Sequence, residues 1–320
     1  MLPRFRSVLQ LLEYYNCNAK CIQLLEAQRW RGKPICPHCK SDKPHYTIEK
    51  GARLKCANGK CGKRFNVLIG TIFENTKIEL RYWFAAIYLI SNHKKGISSY
   101  QLHRDLGVTQ KTAWFMLHRV REMLNEDAGV LSNIVEADET FMGGRDGNKH
   151  VSKRSSQMPT KSLITSGKSQ SLKTDNKTPV AGIVERNGKI VLKKLDNVGK
   201  SELSKFVIEN VAKDTNIYTD EHRGYLPLSK LGFVHDTVKH SSNEYVRGAV
   251  HTNTIEGFWS IFKRGVYGIY HHISVPHLNS YCNEFAYRYN TRKMTDQDRF
   301  NHLLTHTNVR LKYEDLIARA

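Results

Sequence analysis

Residues 132–144 read SNIVEADETFMGG. β-Branched and aromatic residues dominate the apolar positions, and Gly143-Gly144 stops the run, so the stretch predicts a β-strand. Its acid makes it decisive: Asp138 sits where the apolar run gives out. A second short strand, in NIYTDEHRGY (216–225), closes the same way at Asp220. Between them, PVAGIVERNGKIVLKKLDN (179–197) reads as a hairpin turning at Asn187-Gly188, and KSELSKFVIENVAK (200–213) as an amphipathic helix. Strand, hairpin, helix, strand and a further helix from 251 is an α/β order with a mixed sheet. In open sheets of this kind the strand ends line the site.

That further helix, HTNTIEGFWSIFKRG (251–265), sets Asn253, Glu256, Ser260 and Lys263 on one face, while Ile255, Phe258, Trp259 and Phe262 cover much of the rest. Asp138, Asp220 and Glu256, at two strand ends and one helix, are a set that can hold two divalent metals and activate an oxygen nucleophile at phosphorus. Hard oxygen ligands favour Mg²⁺ or Mn²⁺. Read singly, each acid is as compatible with a turn or cap. Glu136, Glu139 and Glu221 compete with them, and composition does not separate the candidates.

The chain has 320 residues, 50 Lys plus Arg against 30 Asp plus Glu, and a formal charge of +20. Such an excess predicts a polyanionic partner, nucleic acid first, held through salt-sensitive phosphate contacts. The longest apolar candidate, YWFAAIYLI (82–90), is half the length of a membrane span. The N-terminus lacks a signal-peptide core. The expectation is a cytoplasmic, nucleoid-associated protein.

Seven cysteines, an odd number, argue against a disulfide framework in a reducing compartment. Cys36 and Cys39 form C-x2-C, Cys56 and Cys61 form C-x4-C, and HYTIEKGARLKC between them reads as a hairpin turning at Lys50-Gly51. Two such knuckles bring four thiolates around one structural zinc ion. His38 and His45 lie near enough to be alternative ligands, although four cysteines already complete the shell. Cys17 and Cys21 read as small buried residues rather than ligands.

In ISSYQLHRDLGVTQKTAWFMLHRVREML (97–124), Ser98 with Gln101 fits a capping box, Gly107 ends one helix and Thr109 caps the next. This is a helix-turn-helix outline whose second helix would present Gln110, Lys111, Trp114, His118 and Arg121 to DNA. Residues 145–178 are polar, basic and without periodicity, and read as a mobile loop or insertion.

VEADETFMGG, IYTDEHRGY and the run from His251 to Arg292, in this order, resemble the bacterial insertion-sequence DDE transposases related to the Merlin superfamily, the ISXO2-like transposases with an N-terminal zinc ribbon. The segments RWRGKPICPHC and GISSYQLHRDLGVTQKTAWFMLHRVR resemble that family's N-terminal half. The resemblance implies an RNase H-like fold and metal-binding roles for Asp138, Asp220 and Glu256. It implies DNA contacts for Lys263 and its neighbour Arg264, with Asn253 a further candidate at the third catalytic slot. The implied organisation is an N-terminal helical segment (1–33), a zinc ribbon (34–70), a helix-turn-helix region (71–127), a catalytic domain (128–300) and a tail (301–320). The implied activity is cleavage at the ends of an insertion sequence and joining of the 3′-hydroxyls to double-stranded target DNA, by an oligomer assembled on DNA. Two other readings compete: a non-catalytic zinc-ribbon regulator on a decayed nuclease scaffold, and a structure-specific nuclease without strand transfer.

Overall fold

The computed structural model describes residues 5–143 and 177–318. All but the last two residues of the polar segment 145–178 lie outside them. The chain divides into two compact units, Met1–Glu126 with Asn283–Ala320, and Asp127–Cys282.

The first unit opens with α1 (Val8–Tyr14) and α2 (Asn18–Trp30), followed by a small antiparallel sheet of β1 (Tyr46–Ile48), β2 (Arg53–Lys55) and β3 (Arg64–Phe65). The β1–β2 turn passes through Gly51 at φ +92°, a conformation glycine adopts without Cβ strain. Cys21 is buried as expected, whereas Cys17 is exposed and is the residue preceding α2. Next come α3 (Leu80–Asn92), α4 (Ser99–Leu106) and α5 (Gln110–Met123). Ser98 Oγ accepts from Gln101 N, Gly107 is left-handed and Thr109 Oγ1 accepts from Thr112 N, so caps and stop fall where the sequence places them. Phe84, Ile87, Leu102, Met116, Leu117 and Phe300 share one core.

Inside that core Glu284, fully buried, accepts from Arg121 Nε at 2.6 Å and also binds Arg288. A buried ion cluster adds little net stability, but removing one member leaves an uncompensated charge. Helix α8 (Leu278–Asn290), which begins in the second unit, supplies Glu284 and Arg288; α9 (Asp296–Leu304) and α10 (Tyr313–Ala318) complete the first unit.

The second unit is built on β4 (Ile134–Met142), β5 (Thr178–Glu185), β6 (Ile190–Lys194), β7 (Asn216–Thr219) and β8 (Val234–Thr237). They form one sheet in the order β6-β5-β4-β7-β8, with β4, β5 and β6 antiparallel and β4, β7 and β8 parallel. Numbered by sequence the order is 3-2-1-4-5, the RNase H-like arrangement. The β5–β6 turn uses Asn187 at φ +61°. Strand β8, its short polar sequence giving no signal, was absent from the sequence expectation, as was the small ribbon of β9 (Val246–Arg247) and β10 (Val250–His251).

The two sheet faces are covered differently. Val135, Ala137 and Ile183 pack with Leu203, Phe206 and Val207 of α6 (Lys200–Asn210). On the other face lies α7 (Asn253–Gly265), whose Ile255, Phe258, Trp259 and Phe262 are buried. Side chains alternate along a strand, so β4 sends Glu136 and Asp138 to the α7 face and Val135, Ala137 and Glu139 to the α6 face.

Candidate active site and metal centres

Asp138 does not end its strand; β4 runs on to Met142. What ends near it is the parallel pairing with β7, whose last partners are Glu136 and Tyr218. Continuing that register by two residues sets Asp220 beside Asp138, at the carboxyl end of β7. Asp220 also closes a turn, its Oδ1 accepting from His222 N at 2.9 Å.

Asp138 receives one side-chain donor, Trp259 Nε1–H, at 3.0 Å. The indole fits because the residue opposite Asp138 on β5 is Gly182. A Cβ there would meet Trp259 Cζ2 at 2.8 Å. Burial pushes the Asp138 carboxyl up to about 7, helped by the charges of Glu139 and Asp220. Glu139 is also pushed up to about 7 by burial and by Asp220, against the hydrogen bond it accepts from Tyr225 Oη at 2.9 Å. His222 Nδ1 lies 3.6 Å from Glu139. The charges of Glu139 and Asp220 raise Asp138, and that of Asp220 raises Glu139, although among the described residues the three do not bring three oxygens within 4.8 Å of one another. An all-oxygen set carrying excess negative charge is what a hard divalent cation neutralises, so the residues present fit Mg²⁺ or Mn²⁺.

The other acids separate cleanly. Glu136 is fully buried and accepts from Thr254 N and Oγ1, Ile255 N and Arg186 Nε, at 2.7–3.0 Å. It caps the first turn of α7, satisfying N–H groups that a helix start otherwise leaves open. Glu221 accepts from Ser241 N and Oγ. Glu139, which the sequence offered only as a competitor, bonds Tyr225 on the α6 face and acts on Asp138 through its charge.

The polar face expected on α7 is present: Asn253, Glu256, Ser260, Lys263 and Arg264 are exposed. Glu256 Oε1 accepts from Thr252 Oγ1 at 2.7 Å and stands 3.8 Å from His240 Nε2. Among the described residues, Asp138, Asp220 and Glu256 do not bring three oxygens within 4.8 Å of one another. Two ions about 3.5–4 Å apart span more than one ion does. Arg264 Nε donates to Ser260 O.

In the first unit, Cys36, Cys39, Cys56 and Cys61 come together. Cys39 and Cys56 Sγ are 3.6 Å apart, and Cys36 and Cys61 Sγ 3.9 Å. Thiolates bound at about 2.3 Å to a tetrahedral zinc lie about 3.8 Å from one another, so the cluster fits the ion. His45 is used otherwise, contacting Ser41 O and accepting from Ala57 N.

The helix-turn-helix splits its expected DNA contacts. Lys111 is exposed, with its ammonium 4.9 Å from the Tyr313 ring. Arg121 corrects the expectation: it is 1% exposed and bonded to Glu284, so it lies in the core and not on a DNA-facing surface. His118 is buried too. The exposed residue of α5 is in its first turn, and the buried face broadens toward the C-terminus to take in His118, Arg119 and Arg121. No helix of the described residues is long and apolar enough to cross a membrane.

Comparison with known proteins follows the same division. Residues 130–290 match the ISXO2-like transposase domain, and residues 17–64 match the transposase zinc-ribbon domain. The chain belongs to the ISXO2-like transposase family. An uncharacterized protein in transposable element ISH50 of Halobacterium salinarum is 27% identical over 277 residues, covering 84% of this chain and 90% of that one. An uncharacterized transposase-like protein of Haemophilus influenzae is 29% identical over 101 residues, 32% of this chain and 80% of that one. Among solved structures, the Mos1 strand transfer complex aligns with 75% of this chain and 82% of that chain at 12% identity, with a TM-score of 0.27, too low to carry an argument.

Proposed function

We propose that this transposase cleaves phosphodiester bonds at the ends of its element and joins the freed 3′-hydroxyls to target DNA, using Asp138, Asp220 and Glu256 as the ligands of two divalent cations. One observation carries the reading: continuing the β4–β7 register sets Asp138 and Asp220 side by side at the end of that pairing, both half-buried, with the Asp220 charge helping to raise Asp138. Bound Mg²⁺ or Mn²⁺ would neutralise charge at the scissile phosphate and promote deprotonation of the attacking oxygen. The protein's share is positioning and charge. Trp259 fixes one oxygen of Asp138. Glu256 presents its carboxylate from the exposed face of α7, with Asn253 one turn before it on the same face. Lys263 and Arg264, about two turns beyond Glu256, take DNA phosphates.

Recognition of the element ends falls to the zinc ribbon and to the first turn of α5, where Lys111 contacts phosphate. Helix N-termini carry the base-reading residues in such motifs. Two ends are cut and joined together, so at least two copies assemble on DNA. The net charge of +20 supports a polyanionic partner.

The test is a cleavage and joining assay with Mg²⁺ on DNA flanking the protein's own gene. Wild type should give joined product and Asp220→Asn none, with DNA binding retained by both. Nicked product without joining would favour a nuclease. Binding without cutting by either protein would favour a DNA-binding regulator.

A further inference from the structure

A second cluster of ligand-type side chains lies in the first unit, away from the cysteines. Glu126, just after α5, faces His302 in the last turn of α9 and His306 one turn beyond. Glu126 Oε1 is 3.3 Å from His302 Nδ1 and 3.7 Å from His306 Nδ1. All three ligand atoms fall within 4.8 Å of one another. Nitrogen and oxygen donors bound at about 2.0–2.1 Å in a tetrahedral shell lie about 3.3–3.4 Å apart, close to these separations.

The hydrogen bonding points the same way. Among the described residues, Glu126 Oε1 and His302 Nδ1 are both buried atoms without a hydrogen-bond partner, although they stand at ion-pair distance, 3.3 Å. A simple carboxylate–imidazole pair would satisfy both atoms. Here the two meet at ion-pair distance without a hydrogen bond between them, a costly state for buried polar atoms. Placing a cation between them removes the cost. His306 Nδ1 contacts His302 O at 3.0 Å and Thr305 Oγ1 at 3.1 Å, contacts it would exchange for the ion. The Tyr287 ring, stacked on His302 at 6.1 Å between centroids, holds the imidazole plane. Positions 302 and 306 are i and i+4 across the end of α9 and the turn that follows it, and both imidazoles reach Glu126.

We infer that Glu126, His302 and His306 form a second, thiolate-free site for a divalent transition-metal ion, Zn²⁺ by preference. Two imidazoles and one carboxylate suit zinc and its first-row neighbours, and exclude Mg²⁺ and Ca²⁺, which require oxygen. The ion would fasten the segment after α5 to the end of α9, and three protein ligands leave its fourth position to water. Nothing in this assignment depends on the proposed DNA chemistry.

Cobalt tests it, because the two sites differ in colour. Full-length protein stripped of metal is titrated with Co²⁺ in a large excess of Mg²⁺, which occupies the carboxylates of the second unit and keeps them out of the cobalt count. The cysteine cluster gives intense thiolate-to-metal charge transfer in the near ultraviolet. The Glu126 site gives only visible d–d bands. Wild type should take up two equivalents, and His302→Ala and Glu126→Gln one each, with the charge-transfer signal intact in all three. The intact signal also reports that each variant is folded around its ribbon. Should a variant lose the ribbon signal, the Cys36→Ser variant supplies the complementary reading, one equivalent with d–d bands alone. One equivalent in wild type, or equal uptake by wild type and Glu126→Gln, would overturn the site.

Discussion

Glu136 and Asp138 are two residues apart on one strand and face the same helix, yet they live in opposite environments. Glu136 has four protein donors within 3.0 Å and Arg186 as counter-charge. Asp138 has one side-chain donor and two carboxylate neighbours. The difference teaches how to sort buried acids. A buried carboxylate that the protein itself satisfies is holding structure together. One that the protein leaves short of positive charge is waiting for a cation.

Exchanging the two acids for neutral residues should therefore have opposite consequences, and this is the largest effect expected. Asp138→Asn should reduce metal-dependent cleavage by about 10³-fold, the scale of removing one preorganised electrostatic group. Without metal it should stabilise the second unit by about 1–3 kcal/mol at pH 8 in urea unfolding. The sign follows from the raised carboxyl. The folded state binds the proton more tightly than the unfolded chain, so stability is full near pH 4 and falls as pH rises through about 7. Asparagine carries no such charge, and its profile should be flatter over that window. Glu136→Ala should instead cost about 3–5 kcal/mol at neutral pH, by stranding Arg186 and uncapping α7.

A smaller effect sharpens the comparison at the side-chain donor that Asp138 has among the described residues. Gly182→Ala places a Cβ 2.8 Å from the Trp259 ring and should displace the indole from Asp138. Loss of cleavage by about 10–100-fold is expected, the scale of a misplacement near 1 Å. Trp259→Phe keeps most of the packing but removes the N–H, and should cost about 1–2 kcal/mol in transition-state terms, roughly tenfold in kcat.

The same contrast between satisfied and open charge recurs on α5, with the smallest effect. Lys111→Ala should weaken DNA binding modestly at every sequence and lower the salt slope by about 1. Arg121→Ala should leave the slope unchanged and lower the thermal stability of the first unit, because its partner Glu284 is buried there.

How far the sequence alone could reach differs between these regions for physical reasons. The cysteine cluster spans Cys36 to Cys61, and its short-range spacing encodes its geometry directly. Caps at Ser98 and Thr109 and the stop at Gly107 are equally local. The carboxylate site is assembled across strands. Glu136, Asp138 and Glu139 differ only through strand alternation and the β4–β7 register, neither of which is written in EADE itself. The environment of Glu139, bonded to Tyr225 and raised by Asp220, is likewise not written in that run. Arg121 was misread because periodicity says which residues share a face, not how wide the buried stripe becomes. The His302–His306 spacing was readable as a pair at i and i+4, but its third member lies 176 residues earlier in the chain.

The central claim is that Asp138 and Asp220 together hold catalytic cations. Manganese binding tests it most directly, read by the loss of the free Mn²⁺ electron paramagnetic resonance signal as protein bound to its flanking DNA is titrated. Wild type and Glu221→Gln should bind Mn²⁺ alike, and Asp138→Asn and Asp220→Asn should each bind at least tenfold more weakly. Equal binding by all four proteins would contradict the account and return Asp138 and Asp220 to the class of structural acids that Glu136 represents.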